Sequence, residues 1–138
     1  MHFDINSFQD LDLLVIHILK EYPSIRVFLL NGNLGAGKTT IIQSFCKQLG
    51  ILNTVSSPTF SIVNEYQLGD NKVYHMDLYR LNSIKEIYEI GLEEYLDSGL
   101  YCFIEWPDIA QNLYTMSHLK IDIELLPNQK RNINLQLL

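Results

Sequence analysis

Apolar positions change their period several times along the chain, and each change marks an element. From Ser7 to Tyr22, the residues Phe8, Leu11, Val15, Ile18 and Tyr22 recur at helical spacing on one face. Ser7 and Asp10 form a capping pair at the start, and Pro23 lies just beyond the end. Arg26 to Asn31 is instead an unbroken apolar run, the pattern of a central strand covered on both faces. A second helical pattern starts at Lys38, runs through Ile41, Ile42, Phe45 and Leu49, and stops at Gly50, which suits a left-handed terminus.

Beyond Gly50 the polar stretch Ser56-Ser57-Pro58-Thr59-Phe60 reads as a loop. A hairpin follows, with strands near Phe60 to Leu68 and Lys72 to Leu78 turned at Gly69-Asp70-Asn71. Alternation puts His75 and Asp77 on the face opposite Met76. Ser83-x-x-Glu86 is a capping box that opens a helix through Ile84, Ile87 and Tyr88, which Gly91 bends or interrupts before Leu92, Tyr95 and Leu96; this Tyr and Leu stripe is expected in the core. Leu100 to Ile104 is again apolar and ends on Glu105. In the tail, Leu119, Ile121, Ile123 and Leu125 alternate with polar residues. Ile133, Leu135 and Leu137 do the same after a turn at Pro127-Asn128-Gln129, which predicts half-buried antiparallel strands at a sheet's edge. Strands alternating with helices give an α/β three-layer sandwich, its mixed sheet parallel at the core and antiparallel at the edges.

Composition narrows this without changing it. At 138 residues and 47% hydrophobic, the chain is expected to be one domain with a respectable core. A formal charge of -6 argues against a general grip on nucleic acid, so RNA is expected to be met only indirectly, through a partner. Lys130 and Arg131 are too few for an RNA site. Cys46 and Cys102 lack metal-ligand or disulfide spacing and read as buried thiols. No apolar run approaches the ~20 residues needed to span a bilayer, and no basic region precedes an apolar one near Met1, so the expected location is the cytoplasm, with no membrane partner.

The chemistry is concentrated in Gly32-Asn33-Leu34-Gly35-Ala36-Gly37-Lys38-Thr39, set between the first central strand and the helix after it. This is the phosphate-binding loop pattern, and with it the expected sandwich is of the P-loop NTPase type. Its backbone N-H groups converge on phosphates, Lys38 reaches the β and γ oxygens, and the Thr39 hydroxyl serves Mg²⁺. The helix N-terminus adds its positive end. Asn33, Gly35, Ala36, Gly37, Lys38, Thr39 and Thr40 are the expected nucleotide contacts. Glu105 ends an apolar strand, as does the carboxylate that holds Mg²⁺ in a second phosphate-loop strand. Asp77 is either an ordinary strand-end carboxylate or one that positions water. Arg80 reads as a surface arginine or as a neutraliser of transition-state charge, and Trp106 as core or binding surface.

With Gly32 to Thr39, Ser57-Pro58-Thr59, His75-x-Asp77-x-Tyr79-Arg80-Leu81 and Glu105-Trp106-Pro107 in this order, the chain resembles the TsaE family, formerly called YjeE. The resemblance implies an ATPase of bacterial tRNA threonylcarbamoyladenosine synthesis that works with the TsaB and TsaD proteins in a nucleotide-controlled cycle. It implies ATP and Mg²⁺ as cofactors, with Lys38 and Thr39 as phosphate and Mg²⁺ contacts. Thr59 is then the switch-loop residue, Asp77 and Glu105 the acidic pair, and Trp106 its neighbour. Either carboxylate of the pair could hold the metal while the other orients water, and Glu105 is the one preferred for the metal. A site with no arginine clamp is expected to turn over slowly alone.

Three other readings stand beside this. A small-molecule kinase would need an acceptor pocket and a basic lid, whereas the region after Gly91 is acidic. A GTPase switch would carry Asp-x-x-Gly, which the chain lacks. The third is a nucleotide-sensing assembly module that binds ATP and barely hydrolyses it.

Overall fold

The computed structural model describes residues 1–58 and 61–138. Among the described residues seven strands form one sheet: β1 (His2–Ile5), β2 (Val27–Asn31), β3 (Val63–Leu68), β4 (Asn71–Asp77), β5 (Cys102–Glu105), β6 (His118–Leu125) and β7 (Arg131–Leu137), in the order β1-β7-β6-β2-β5-β4-β3. The inner four, β6, β2, β5 and β4, are mutually parallel, while β7, β1 and β3 are antiparallel to their neighbours. Helices α1 (Phe8–Glu21) and α2 (Lys38–Leu49) cover one face, and α3 (Ile84–Glu89), α4 (Leu92–Asp97) and a 3₁₀ segment, Pro107–Leu113, cover the other.

Strand alternation divides the core between these faces. Phe28 and Leu30 of β2 point toward α1 and α2, where Phe28 packs on Phe45 and Phe103 at ring separations of 5.0 and 5.3 Å. Val27 and Leu29 point the other way, toward Ile87, Leu92 and Leu96. Both faces of β2 are therefore apolar, which is why its sequence shows no alternation. His75 and Met76 likewise face opposite layers, since Val73 packs with the α1 and α2 side and Met76 with the α3 and α4 side.

The caps form as the sequence predicts. Ser7 Oγ accepts from the Asp10 N-H at 3.1 Å, and the Asn6 N-H donates to Asp10 Oδ2 at 3.0 Å. Ser83 and Glu86 close a similar pair, Gly50 ends α2 at φ 92°, and Gly91 at φ 75° splits the next helix into α3 and α4.

Several expectations are corrected. The tail strands do not form the sheet's edge: β6 pairs in parallel with β2, and β7 is covered by β1, a strand too short to show a period in the sequence. Phe8, expected inward, is 76% exposed, because α1 begins beyond the apolar floor that receives Leu11, Leu14, Val15 and Ile18. Tyr88 is exposed too, leaving Ile87, Leu92 and Leu96 as the buried stripe. Both cysteines are free and buried, and burial pushes their thiols up to about 12. Among the described residues no helix is long and apolar enough to cross a membrane.

Candidate active site

The register of the parallel strands builds the site. Leu30 lies opposite Glu105 and Glu105 opposite Asp77, so β2, β5 and β4 end side by side. Ligands in open α/β sheets bind outside such carboxyl ends. Here the glycine loop leaves β2, and a cavity of about 340 Å³ opens over it, lined by Lys38, Thr39, Ser57, Asp77, Glu105 and Trp106 among others.

The loop's glycines have separate structural reasons. Gly35 and Gly37 adopt φ of 79° and 104°, which L side chains rarely take. A Cβ on Gly32 would stand 2.9 Å from the Ile123 carbonyl oxygen, so the loop passes too close to β6 for any side chain. Gly35, Gly37, Lys38, Thr39 and Thr40 all line the cavity. Asn33 and Ala36 are not among its lining residues: the Asn33 carbonyl accepts from Lys38 and from the Ala36 N-H, and Ala36 is buried. Thr59 lies outside the described residues.

Lys38 is 5% exposed. Its ammonium donates to the carbonyls of Gly32 and Asn33 and lies 4.0 Å from the centre of the Trp106 ring. Burial lowers its pKa below the ordinary 10.5, against the opposing pull of Glu105 and Asp77. Trp106 holds this position with a left-handed backbone, φ 55°, and packs on Tyr79 at 4.8 Å. Such a conformation is costly for a tryptophan and persists where the surrounding structure fixes it, most often at functional sites.

Glu105 is 4% exposed and held from two sides. The Thr39 hydroxyl lies 3.3 Å from both carboxylate oxygens, and His75 Nε2 lies 2.7 Å from Oε2. The other nitrogen of His75 meets the Tyr66 hydroxyl at 3.2 Å, and Tyr66 donates to the Ser56 carbonyl at 3.0 Å. A continuous polar chain thus joins the Ser56–Ser57 loop to the phosphate loop. Among the described residues no buried side-chain polar atom is left without a partner.

Asp77 is half-buried. Its Oδ1 accepts the Tyr79 N-H at 2.9 Å, and Ser57 donates to Oδ2 at 3.4 Å. Desolvation raises its pKa above the ordinary 3.8, and the Tyr79 hydrogen bond only partly offsets this. The sign for stability follows. As pH rises from about 3.8 toward the raised folded-state value, the unfolded chain ionises first, so this group's contribution to stability falls and stays low above that window. Asp77→Asn is therefore expected to be at least as stable as the parent at pH 7, with the difference shrinking at pH 4. Urea denaturation at the two pH values measures it, and a marked loss of stability at pH 7 would contradict the desolvation account.

Mg²⁺ suits these groups. Hydroxyl and carboxylate oxygens are its usual donors, and it is commonly held by one or two carboxylates together with substrate phosphates. Thr39 and Glu105 supply such a pair. Among the described residues no cluster of three or more His, Cys, Asp and Glu could hold a metal alone.

Two site features were not legible as such in the sequence. His75 stood out by its alternation with Met76 and as part of the His75-x-Asp77 motif, and nothing there pairs it with Glu105 across strands. Arg131, set aside as one of two basic residues near a turn, begins β7, lines the cavity, and donates through Nε to the Ala36 carbonyl at 2.7 Å. It stands beside Gly37, where a Cβ would meet its Nε at 2.8 Å. Arg80 is exposed and does not line the cavity.

Comparison with known proteins agrees with this architecture. Residues 5–133 match the family model described as threonylcarbamoyl adenosine biosynthesis protein TsaE. A Rickettsia conorii protein, named tRNA threonylcarbamoyladenosine biosynthesis protein TsaE, is 44% identical over 109 residues, covering 76% of this chain and 60% of its own. The chain thus spans about three fifths of that relative's length. Haemophilus influenzae and Bacillus subtilis proteins of the same name are 36% and 39% identical, covering 89% and 78% of this chain and 75% and 66% of theirs. The crystal structure of Bacillus subtilis YdiB superposes with a TM-score of 0.76 at 28% identity, covering 96% of this chain and 82% of that one.

Proposed function

Because the chain belongs to the TsaE family, we propose that it binds and hydrolyses ATP with Mg²⁺ in support of tRNA threonylcarbamoyladenosine modification, acting with TsaB and TsaD. The observation that carries this is the convergence of Lys38, Thr39, Asp77 and Glu105 on one cavity at three adjacent strand ends.

In this reading Lys38 and the loop's N-H groups bind the phosphates, and Thr39 with Glu105 holds the metal. Glu105 suits that role because His75 and Thr39 fix its orientation. Mg²⁺ supplies charge neutralisation on the phosphoryl oxygens. Asp77 orients the attacking water, for which a half-buried carboxylate with a raised pKa is fitted. Burial of Lys38 and Glu105 strengthens their electrostatic effect on charge that develops during transfer.

Contact with tRNA is indirect, through the partners, consistent with the net charge of -6. A second reading, a nucleotide sensor with little turnover, draws on the polar chain from Ser56 through Tyr66 and His75 to Glu105, which would let nucleotide state set the loop's position.

Arg131 stands by Gly37 and not by the acidic pair, so the γ-phosphate side offers Lys38 as its cation. Slow hydrolysis alone, rising when a partner completes the site, is therefore the expected result. ATP turnover measured with and without TsaB, TsaD and tRNA tests it. Fast turnover indifferent to the partners would defeat the accessory role, and stoichiometric binding without turnover in any mixture would favour the sensor.

A further inference from the structure

The His75 ring that orients Glu105 is itself held from behind by Tyr66. We propose that Tyr66 is a positioning residue for the metal-holding carboxylate, its hydroxyl fixing the His75 ring so that Nε2 stays on Glu105 Oε2. The proposal rests on the Mg-ATP reading above and carries it to a side chain that does not line the phosphate cavity.

Strand register brings these groups together. Between β3 and β4, Asn64 stands opposite His75 and Tyr66 opposite Val73, so Tyr66 is the diagonal neighbour of His75 on one face of the hairpin. Between β4 and β5, Asp77 stands opposite Glu105, which makes Glu105 the diagonal neighbour of His75 on the other side. Side chains from three adjacent strands thus form one buried line that ends at the phosphate cavity.

The hydrogen bonds along this line leave Tyr66 a specific task. An ionised carboxylate only accepts, so the hydrogen in the 2.7 Å contact with Glu105 sits on His75 Nε2. Nδ1 of a neutral ring is then an acceptor, and the Tyr66 hydroxyl lies 3.2 Å from it. The Tyr66 oxygen already accepts the Ser56 N-H and the Asn64 side-chain N-H, each at 3.3 Å. Its one proton has two acceptors in reach, His75 Nδ1 and the Ser56 carbonyl. Asn64 also donates to that carbonyl, at 3.1 Å, whereas among the described residues Nδ1 has no donor but Tyr66. Burial pushes the Tyr66 hydroxyl above its ordinary pKa, so the proton stays available.

Tyr66→Phe removes one oxygen and keeps the ring, and the Ser56 carbonyl retains Asn64, so the hairpin is expected to stand. In single-turnover hydrolysis the Mg²⁺ concentration for half-maximal rate is expected to rise about tenfold or more, the scale on which a ligand's outer partners act, while ATP binding without Mg²⁺ stays within about twofold. His75→Gln keeps an N-H for Glu105 but has no second nitrogen at the Nδ1 position. In that background Tyr66→Phe is expected to change the Mg²⁺ requirement by less than about twofold, because the two residues act as one unit. Long-range proton-nitrogen NMR spectra of the nucleotide-free protein give a reading independent of turnover: in Tyr66→Phe the His75 Nδ1 resonance is expected to move toward that of an imine nitrogen with no hydrogen bond. An unmoved Nδ1 resonance, an unchanged Mg²⁺ requirement, or the same loss in both backgrounds would overturn the role of Tyr66 and leave the Mg-ATP site standing. If the parent shows no Mg²⁺-dependent hydrolysis, the Mg-ATP reading itself fails and the proposal falls with it.

Discussion

Lys38→Ala is expected to lower Mg-ATP affinity by about 100-fold or more, beyond the range of ordinary titration. The side chain is 5% exposed, so its ammonium meets a phosphate in a largely desolvated setting, where truncating one partner of a charged pair costs at least ~2–5 kcal/mol. Two contributions to stability oppose each other in this variant. Removing the ammonium lifts its desolvation penalty, but it leaves Glu105 and Asp77 without the cation that balances them. The fold should therefore change far less than the binding. Isothermal calorimetry beside a thermal melt distinguishes the two, and retained affinity in a folded Lys38→Ala protein would remove the phosphate loop from the centre of the site.

Glu105→Gln is expected to separate binding from chemistry. The amide keeps the shape and can still accept from His75 through its oxygen while offering its NH₂ to the Thr39 hydroxyl, so the network that holds residue 105 survives. Only the charge is lost. ATP affinity should stay within several-fold of the parent, because Lys38 and the loop remain. Hydrolysis should fall about 100-fold or more, the scale seen when one electrostatic stabiliser is removed from a reacting centre. Single-turnover hydrolysis across a Mg²⁺ titration is the measurement. A variant that keeps its rate and Mg²⁺ dependence would move the metal to Asp77 and leave Glu105 as a buried partner of His75.

The two carboxylates illustrate what a linear reading can reach. Glu105 was visible as an acid ending an apolar strand, which is unusual enough to raise a functional question, and Asp77 only as a strand-end carboxylate. Their different duties are set by surroundings. Glu105 is enclosed by His75 and Thr39, whereas Asp77 rests on the Tyr79 N-H and faces Ser57. Apart from Tyr79, two positions from Asp77, those neighbours come from other elements, at separations of 20 to 66 residues.

Elements that depend on short-range chemistry could be read directly from the order of residues. The phosphate loop is legible because a left-handed turn needs glycine at Gly35 and Gly37 whatever surrounds it, and the caps at Ser7, Gly50 and Ser83 are legible because each cap bonds within its own turn. Apolar run length likewise identified β2 as central. Tertiary structure alone decided which distant residues meet: that β6 lies parallel beside β2, that Arg131 reaches Ala36 across 95 positions, and that Phe8 borders a cavity instead of joining the core. Strand order and register follow from the packing of whole faces against one another, a sum over many weak contacts, and no local window of the chain contains that sum.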